Sequence, residues 1–142
     1  MALWHDLAAR AIRGLAAFGP RPSGEAMIAE TEAGRVPLWA YRAADAGDAP
    51  PVYVHFTDTG FIAPAAGRDD ALAQSLAEAL GAVILLADLP LAPGARFPKA
   101  PTQAQALAWW AMLAGRKQGW NGKRLALGGR GSGAGLAVGA CL

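Results

Sequence analysis

Apolar side chains recur along residues 2–18 at Leu3, Trp4, Leu7, Ala8, Ala11, Ile12 and Leu15. That spacing places them on one stripe and predicts an amphipathic N-terminal helix. The breaker cluster Gly19-Pro20-Arg21-Pro22-Ser23-Gly24 ends it, and a short helical piece is expected around Glu25–Glu32. From Val36 the texture changes. Val36-Pro37-Leu38-Trp39-Ala40-Tyr41-Arg42 reads as a strand whose proline suits a sheet edge. After a turn-rich connector, Val52–Phe56 is a second strand. Leu72, Leu76 and Leu80 follow at helical spacing over 69–80, with Asp69 and Asp70 at the favourable end of the helix dipole and Gly81 as the stop. Ala82–Ala87 is continuously apolar, as in a central strand covered on both faces. A proline-containing loop follows, and Thr102 is placed to cap a helix through Trp109, Trp110 and Leu113. Arg124–Gly128 is a fourth strand, and a Gly-rich turn then enters a small-residue helix. Strands alternating with helices predict an α/β protein with a mostly parallel sheet. The expected division is an N-terminal helical segment, 1–34, and an α/β core, 35–142.

Composition narrows the class. The chain has 142 residues, 54% of them hydrophobic, enough for one domain with its own core. Even the longest unbroken apolar run, Ala106–Ala114, is far short of the ~20 residues a membrane-spanning helix needs. The single cysteine, Cys141, excludes an intrachain disulfide framework and points to a reducing, cytoplasmic compartment. It is expected as a small core residue behind the Gly-rich turn. No His/Cys cluster has metal-ligand spacing, so neither a metal nor another cofactor is expected.

The net charge of +2 makes no case for a nucleic-acid partner. Its distribution is uneven: net −5 over residues 1–88 and +7 over 89–142, where no Asp or Glu occurs. An anion-binding C-terminal half is one reading of this; cations standing singly on loops and helix ends is the favoured one.

Three blocks then coincide. Phe56-Thr57-Asp58-Thr59-Gly60-Phe61, Ala87-Asp88-Leu89-Pro90-Leu91-Ala92-Pro93-Gly94 with Phe97-Pro98, and Gly128-Gly129-Arg130-Gly131-Ser132-Gly133-Ala134-Gly135 fall on FHGGGF, VDYRLAPE…FP and GGDSAGG. In spacing and order the chain from Val36 onward resembles the α/β-hydrolase fold-3 family, the hormone-sensitive-lipase-like esterases. The resemblance implies an α/β-hydrolase sheet, of which this chain holds the N-terminal two-thirds plus an N-terminal helix. It also implies carboxylic ester hydrolysis, with a small ester or acyl ligand.

The departures bear on the chemistry. In the family's elbow a serine on a sharp strand-to-helix turn is the nucleophile. Here that position is Gly131, within an elbow of Gly129, Arg130, Gly131 and Gly133, and Ser132 stands one residue late. Ser132 is expected to cap the following helix or line the turn, although its backbone N–H can join Thr59 and Gly60 in an oxyanion hole. Removing one such donor costs ~10²–10³ in rate, whereas losing the nucleophile removes the covalent route. Asp58 would oppose a developing oxyanion if it pointed inward.

The family's triad order places an acid and a histidine after the serine. Nothing after Asp88 is acidic and nothing after His55 is histidine. His55 itself does not coincide with the family histidine, which falls on Thr57. The expectation is an esterase-like pseudoenzyme, truncated and catalytically impaired. Two alternatives stay open. One is an ester hydrolase completed by a partner chain with Ser132 recruited. The other is a small anion- or nucleotide-binding module at Gly129–Gly135, because Gly129–Ala134 also fits G-x-G-x-x-A before a helix. Self-association through an exposed sheet edge is expected.

Overall fold

The computed structural model describes residues 21–64 and 66–142, together with Leu7, Ala8, Arg10, Ala11 and Gly14. Those five N-terminal residues are helical; the rest of the helix expected over 2–18 lies outside the described residues. Among the described residues, strands β1 (Glu25–Thr31), β2 (Gly34–Tyr41), β3 (Pro51–Phe56), β4 (Val83–Ala87) and β5 (Asn121–Gly129) form one sheet in the order β1-β2-β4-β3-β5. Helices α1 (Asp70–Leu80), α2 (Lys99–Gln118) and α3 (Ser132–Ala140) complete the fold.

β3 pairs in parallel with both β4 and β5, the parallel α/β arrangement that the alternating pattern predicts. β2 instead runs antiparallel to β4 and carries β1 on its outer side. Two expectations are corrected here. Glu25–Thr31 is a strand, not a helical piece, because it pairs along its whole length with β2 across a two-residue turn at Glu32 and Ala33. Thr31 Oγ1 secures that turn by donating to Gly34 O at 2.6 Å. Pro37 accordingly lies in an interior strand, opposite Ile28, and β1 is the edge.

β4 shows why its sequence is continuously apolar. Val83, Leu85 and Ala87 pack with Val36, Leu38, Val54, Phe56, Leu107 and Leu136 on the face covered by α2 and α3. Ile84 and Leu86 point the other way and meet Ala73 and Ala77 of α1. Both faces are dry, so no polar alternation survives.

Gly81 ends α1 in the left-handed region at φ 56°, as its position predicts. α2 begins at Lys99, three residues before the expected cap, and the Thr102 hydroxyl bonds back to Pro98 O at 2.9 Å within the first turn. Of the adjacent tryptophans, Trp110 packs against the core and edge-on to Trp120, whereas Trp109 is 53% exposed. Cys141 is also exposed, just past α3, not in the core.

Candidate active site

Parallel pairing of β3 with β5 sets Phe56 opposite Gly129, so the loops leaving both strands emerge side by side at the carboxyl edge of the sheet. Arg130 N donates to Phe56 O at 3.3 Å and ties the two together. Glycine is required here for closeness. A Cβ on Gly133 would run into the Phe56 carbonyl, and one on Gly129 would meet both that carbonyl and Gly133. α3 can therefore start almost in contact with β3.

Between them lies Gly131, at φ 51° and ψ −122°. This is the sharp strand-to-helix turn of an elbow, in a backbone region that a residue with a side chain enters only under strain. A Cβ built on Gly131 would point straight into the carboxylate of Asp58, closer than van der Waals contact allows. The acid on the β3 loop fills the volume that an elbow side chain would take.

Ser132 faces the same cluster, so the helix-cap expectation is corrected. α3 has no side-chain cap, and Ser132 Oγ turns toward the β3 loop. It accepts the backbone N–H groups of Thr59 at 3.1 Å and Gly60 at 3.0 Å, and it donates to Asp58 Oδ1 at 2.9 Å. A serine hydroxyl has one proton and two lone pairs, and all three are engaged. Asp58 Oδ1 also accepts from Ser132 N at 3.1 Å and, more loosely, from Gly60 N at 3.3 Å. These bonds hold the Asp58 carboxyl below its ordinary range: those from Ser132 contribute most, then that from Gly60.

Thr59, Gly60 and Ser132 are thus brought together, with their N–H groups converging. They converge on a hydroxyl and a carboxylate of the chain itself. The Gly129–Gly135 turn likewise already has an anion at its helix N-terminus, namely Asp58.

Arg130 leans away from this cluster. Its Nη2 donates to Asp69 Oδ1 at 2.5 Å, and Asp69 Oδ2 lies 2.9 Å from His55 Nε2. Tyr53 Oη is 3.2 Å from His55 Nδ1. A carboxylate only accepts, so Nε2 carries the hydrogen, and in the neutral imidazole Nδ1 then accepts the tyrosine O–H. The resulting Tyr53–His55–Asp69–Arg130 chain runs from within β3 to the residue before Gly131. The Asp69 and His55 side chains are 1% and 4% exposed, the Arg130 side chain 60%. Burial, followed by the charge of Asp69, pushes the Tyr53 hydroxyl up from its usual range. His55 is therefore buried and has a hydrogen-bond partner at each ring nitrogen. The role of Asp69 was not visible in the sequence, where it reads only as a helix-opening acid. Thr57 Oγ1, at the position of the family histidine, is buried without a hydrogen-bond partner among the described residues.

Beside the cluster, Phe61 and the second turn of α3 form one wall of an apolar cavity of about 440 Å³. No group of three His, Cys, Asp or Glu among the described residues is arranged to hold a metal. No helix among them is long and apolar enough to cross a membrane.

Comparison with known proteins agrees with this geometry. A family model described as alpha/beta hydrolase fold matches residues 36–142. Among solved structures, the chain is similar to a thermostable esterase from Pseudomonas putida, with 26% identity and TM-score 0.77 over 94% of this chain and 43% of that one. It is also similar to an esterase from Pyrobaculum calidifontis, with 27% identity and TM-score 0.75 over 92% of this chain and 42% of that one. A thermophilic carboxylesterase cloned from a metagenomic library shares the fold at 20% identity and TM-score 0.74, over 93% of this chain and 47% of that one. The chain therefore spans less than half the length of the solved esterases it matches. A comparison with curated proteins finds no match.

Proposed function

The chain belongs to the alpha/beta hydrolase fold family, and on that premise we propose that it is a carboxylic-ester-hydrolase-like protein whose serine chemistry is impaired. One observation carries the reading. The elbow keeps its turn at Gly131, but the space in front of it holds the Asp58 carboxylate. Nucleophilic catalysis needs an atom there that attacks the acyl carbon and a neighbouring base that takes its proton. Glycine supplies no such atom.

Ser132 is a poor replacement. Its lone pairs accept two backbone N–H groups, and its proton is held by a carboxylate that hydrogen bonding has already made a weak base. The same hydroxyl occupies the donors a tetrahedral oxyanion would need. This counts against an esterase completed by a partner chain through Ser132. The anionic Asp58 at the turn counts against nucleotide binding there.

The test is hydrolysis of p-nitrophenyl acetate and butyrate by the purified protein. The expected rate equals that of buffer and is unchanged in Ser132→Ala. Turnover that disappears in Ser132→Ala would overturn the proposal.

The reading extends to a cytoplasmic location, supported by the single cysteine, and to association of two copies along β5. That strand ends the sheet among the described residues. A monodisperse monomer at high concentration in light scattering would remove the second extension.

A further inference from the structure

The cavity beside the elbow is unlike the cluster next to it. Its walls come from the loop after β4 and the start of α2, including Pro90, Ala100 and Pro101, and from Phe61 and Leu136. Among the lining side chains only Arg96 is polar, and none of the ion pairs or side-chain hydrogen bonds of the described residues engages it. Two aromatic rings of the same lining stay in water, Phe97 at 88% and Phe61 at 41% exposure. Exposed aromatic surface grouped around a concavity marks a binding site more reliably than isolated apolar residues do. A volume of about 440 Å³ lies within the ~300–1,000 Å³ range of small-molecule pockets.

We propose that this cavity reversibly binds an apolar monocarboxylate, the alkyl or aryl body lying against Leu136, Pro101 and Phe61 and the carboxylate meeting Arg96. The charge argument selects the head group. A guanidinium has five N–H donors in a planar fork that matches a carboxylate, and at this exposed arginine no acceptor among the described residues competes for them. A neutral ester or alcohol leaves most of those donors unmatched. The surrounding stretch from Leu89 onward contains no acidic residue to repel an anion. Binding of this kind needs neither a nucleophile nor an oxyanion hole, so it stands apart from the hydrolytic reading.

Gly135 offers a direct way to close the cavity. It lies on α3 and lines the pocket, and a Cβ added to it meets nothing within 4 Å. Leucine at this exposed lining position finds open space at its Cβ and displaces no backbone, and it replaces glycine in a helix, which favours the fold.

Isothermal titration calorimetry with butanoate, hexanoate and octanoate tests the proposal, with 1-octanol as the neutral control. Affinity is expected to rise about fourfold per added CH₂ until the cavity is filled. Octanol is expected to bind the wild type about two- to fivefold more weakly than octanoate, because Arg96 is exposed and water screens the pair, and Arg96→Gln should erase that difference. Gly135→Leu should abolish binding of all three acids while raising or preserving the melting temperature.

Equal binding of octanol and octanoate by the wild type would overturn the role of Arg96. Undiminished octanoate binding by a folded Gly135→Leu would overturn the site. Neither outcome depends on ester turnover, so the two proposals fail separately.

Discussion

Asp69 has a side chain only 1% exposed, yet it receives a guanidinium and an imidazole N–H. Removing Arg130 with an apolar residue of similar length, Arg130→Met, leaves a buried carboxylate whose one remaining described partner is His55. Stripping one partner from a fully buried ion pair costs about 3–5 kcal/mol. The Arg130 side chain is 60% exposed, so water screens the guanidinium end and the cost should fall to about 2–3 kcal/mol. For a chain of this size that lowers the melting temperature by roughly 5–10 °C.

Asp69→Asn is milder. The amide oxygen still accepts from His55, and Arg130 can turn into solvent, so about 1 kcal/mol is expected, one ordinary hydrogen bond. The double variant should cost little more than Asp69→Asn alone, because the charge that Arg130 balanced is gone. Urea denaturation of the four proteins closes the cycle. If the single costs add in the double variant, or if Arg130→Met is indistinguishable from wild type, the carboxylate is not held dry and the reasoning fails.

Gly133→Ala should destabilise by more than about 3 kcal/mol, because its Cβ meets the Phe56 carbonyl of the backbone; thermal denaturation reads this. Gly131→Ala should be destabilising in the wild type and clearly less so in an Asp58→Gly background, where backbone strain of about 1–3 kcal/mol is all that remains. Equal costs in the two backgrounds would refute the overlap with Asp58.

At low pH two carboxyl groups act in the same direction. Asp58 is lowered by its Ser132 and Gly60 bonds. For Asp70, desolvation works upward but is outweighed by bonds from the Tyr41 O–H and from Ser23. Groups lowered in the fold contribute stability above the unfolded carboxylate value, near 3.9. That contribution is lost as pH falls through the folded values, so a pH series of melting temperatures should drop below about pH 4. Asp88 runs the other way, raised by burial. Asp88→Asn should therefore stabilise more at pH 7 than at pH 3.

Much of the fold is legible in the chain because burial leaves a period. Val83–Ala87 is apolar throughout since both faces are covered, and the stop at Gly81 is fixed by a left-handed backbone. Glu25–Thr31 hides its nature. Its alternation is weak, with only Ala29 fully buried, and its partner is specified by the turn at Glu32 and Ala33, not by its own pattern. Cys141 and Trp109 sit at spacings that suit a core but face outward, which depends on what packs beside α2 and α3.

At the site, the glycine spacing marks the elbow and the chain order marks the loop that meets it. The direction of one hydroxyl is not encoded at that level. Ser132 turns to Asp58 because three hydrogen-bonding groups converge there from a loop more than seventy residues away. The bond between Asp69 and Arg130 is also long-range, and neither residue carries a local sign of it.

The overlap of Gly131 with Asp58 also orders the routes by which such a site can change. A serine arriving first at 131 would meet a turn that only glycine adopts without strain and a carboxylate in the same space. Loss of Asp58 first would open the volume and leave the later change with backbone strain alone. The two substitutions are thus contingent on sequence in time, and the pair acts as a ratchet. A chain that has settled on glycine and aspartate sits in a dip from which each single step leads uphill, and the gentler way out begins on the β3 loop.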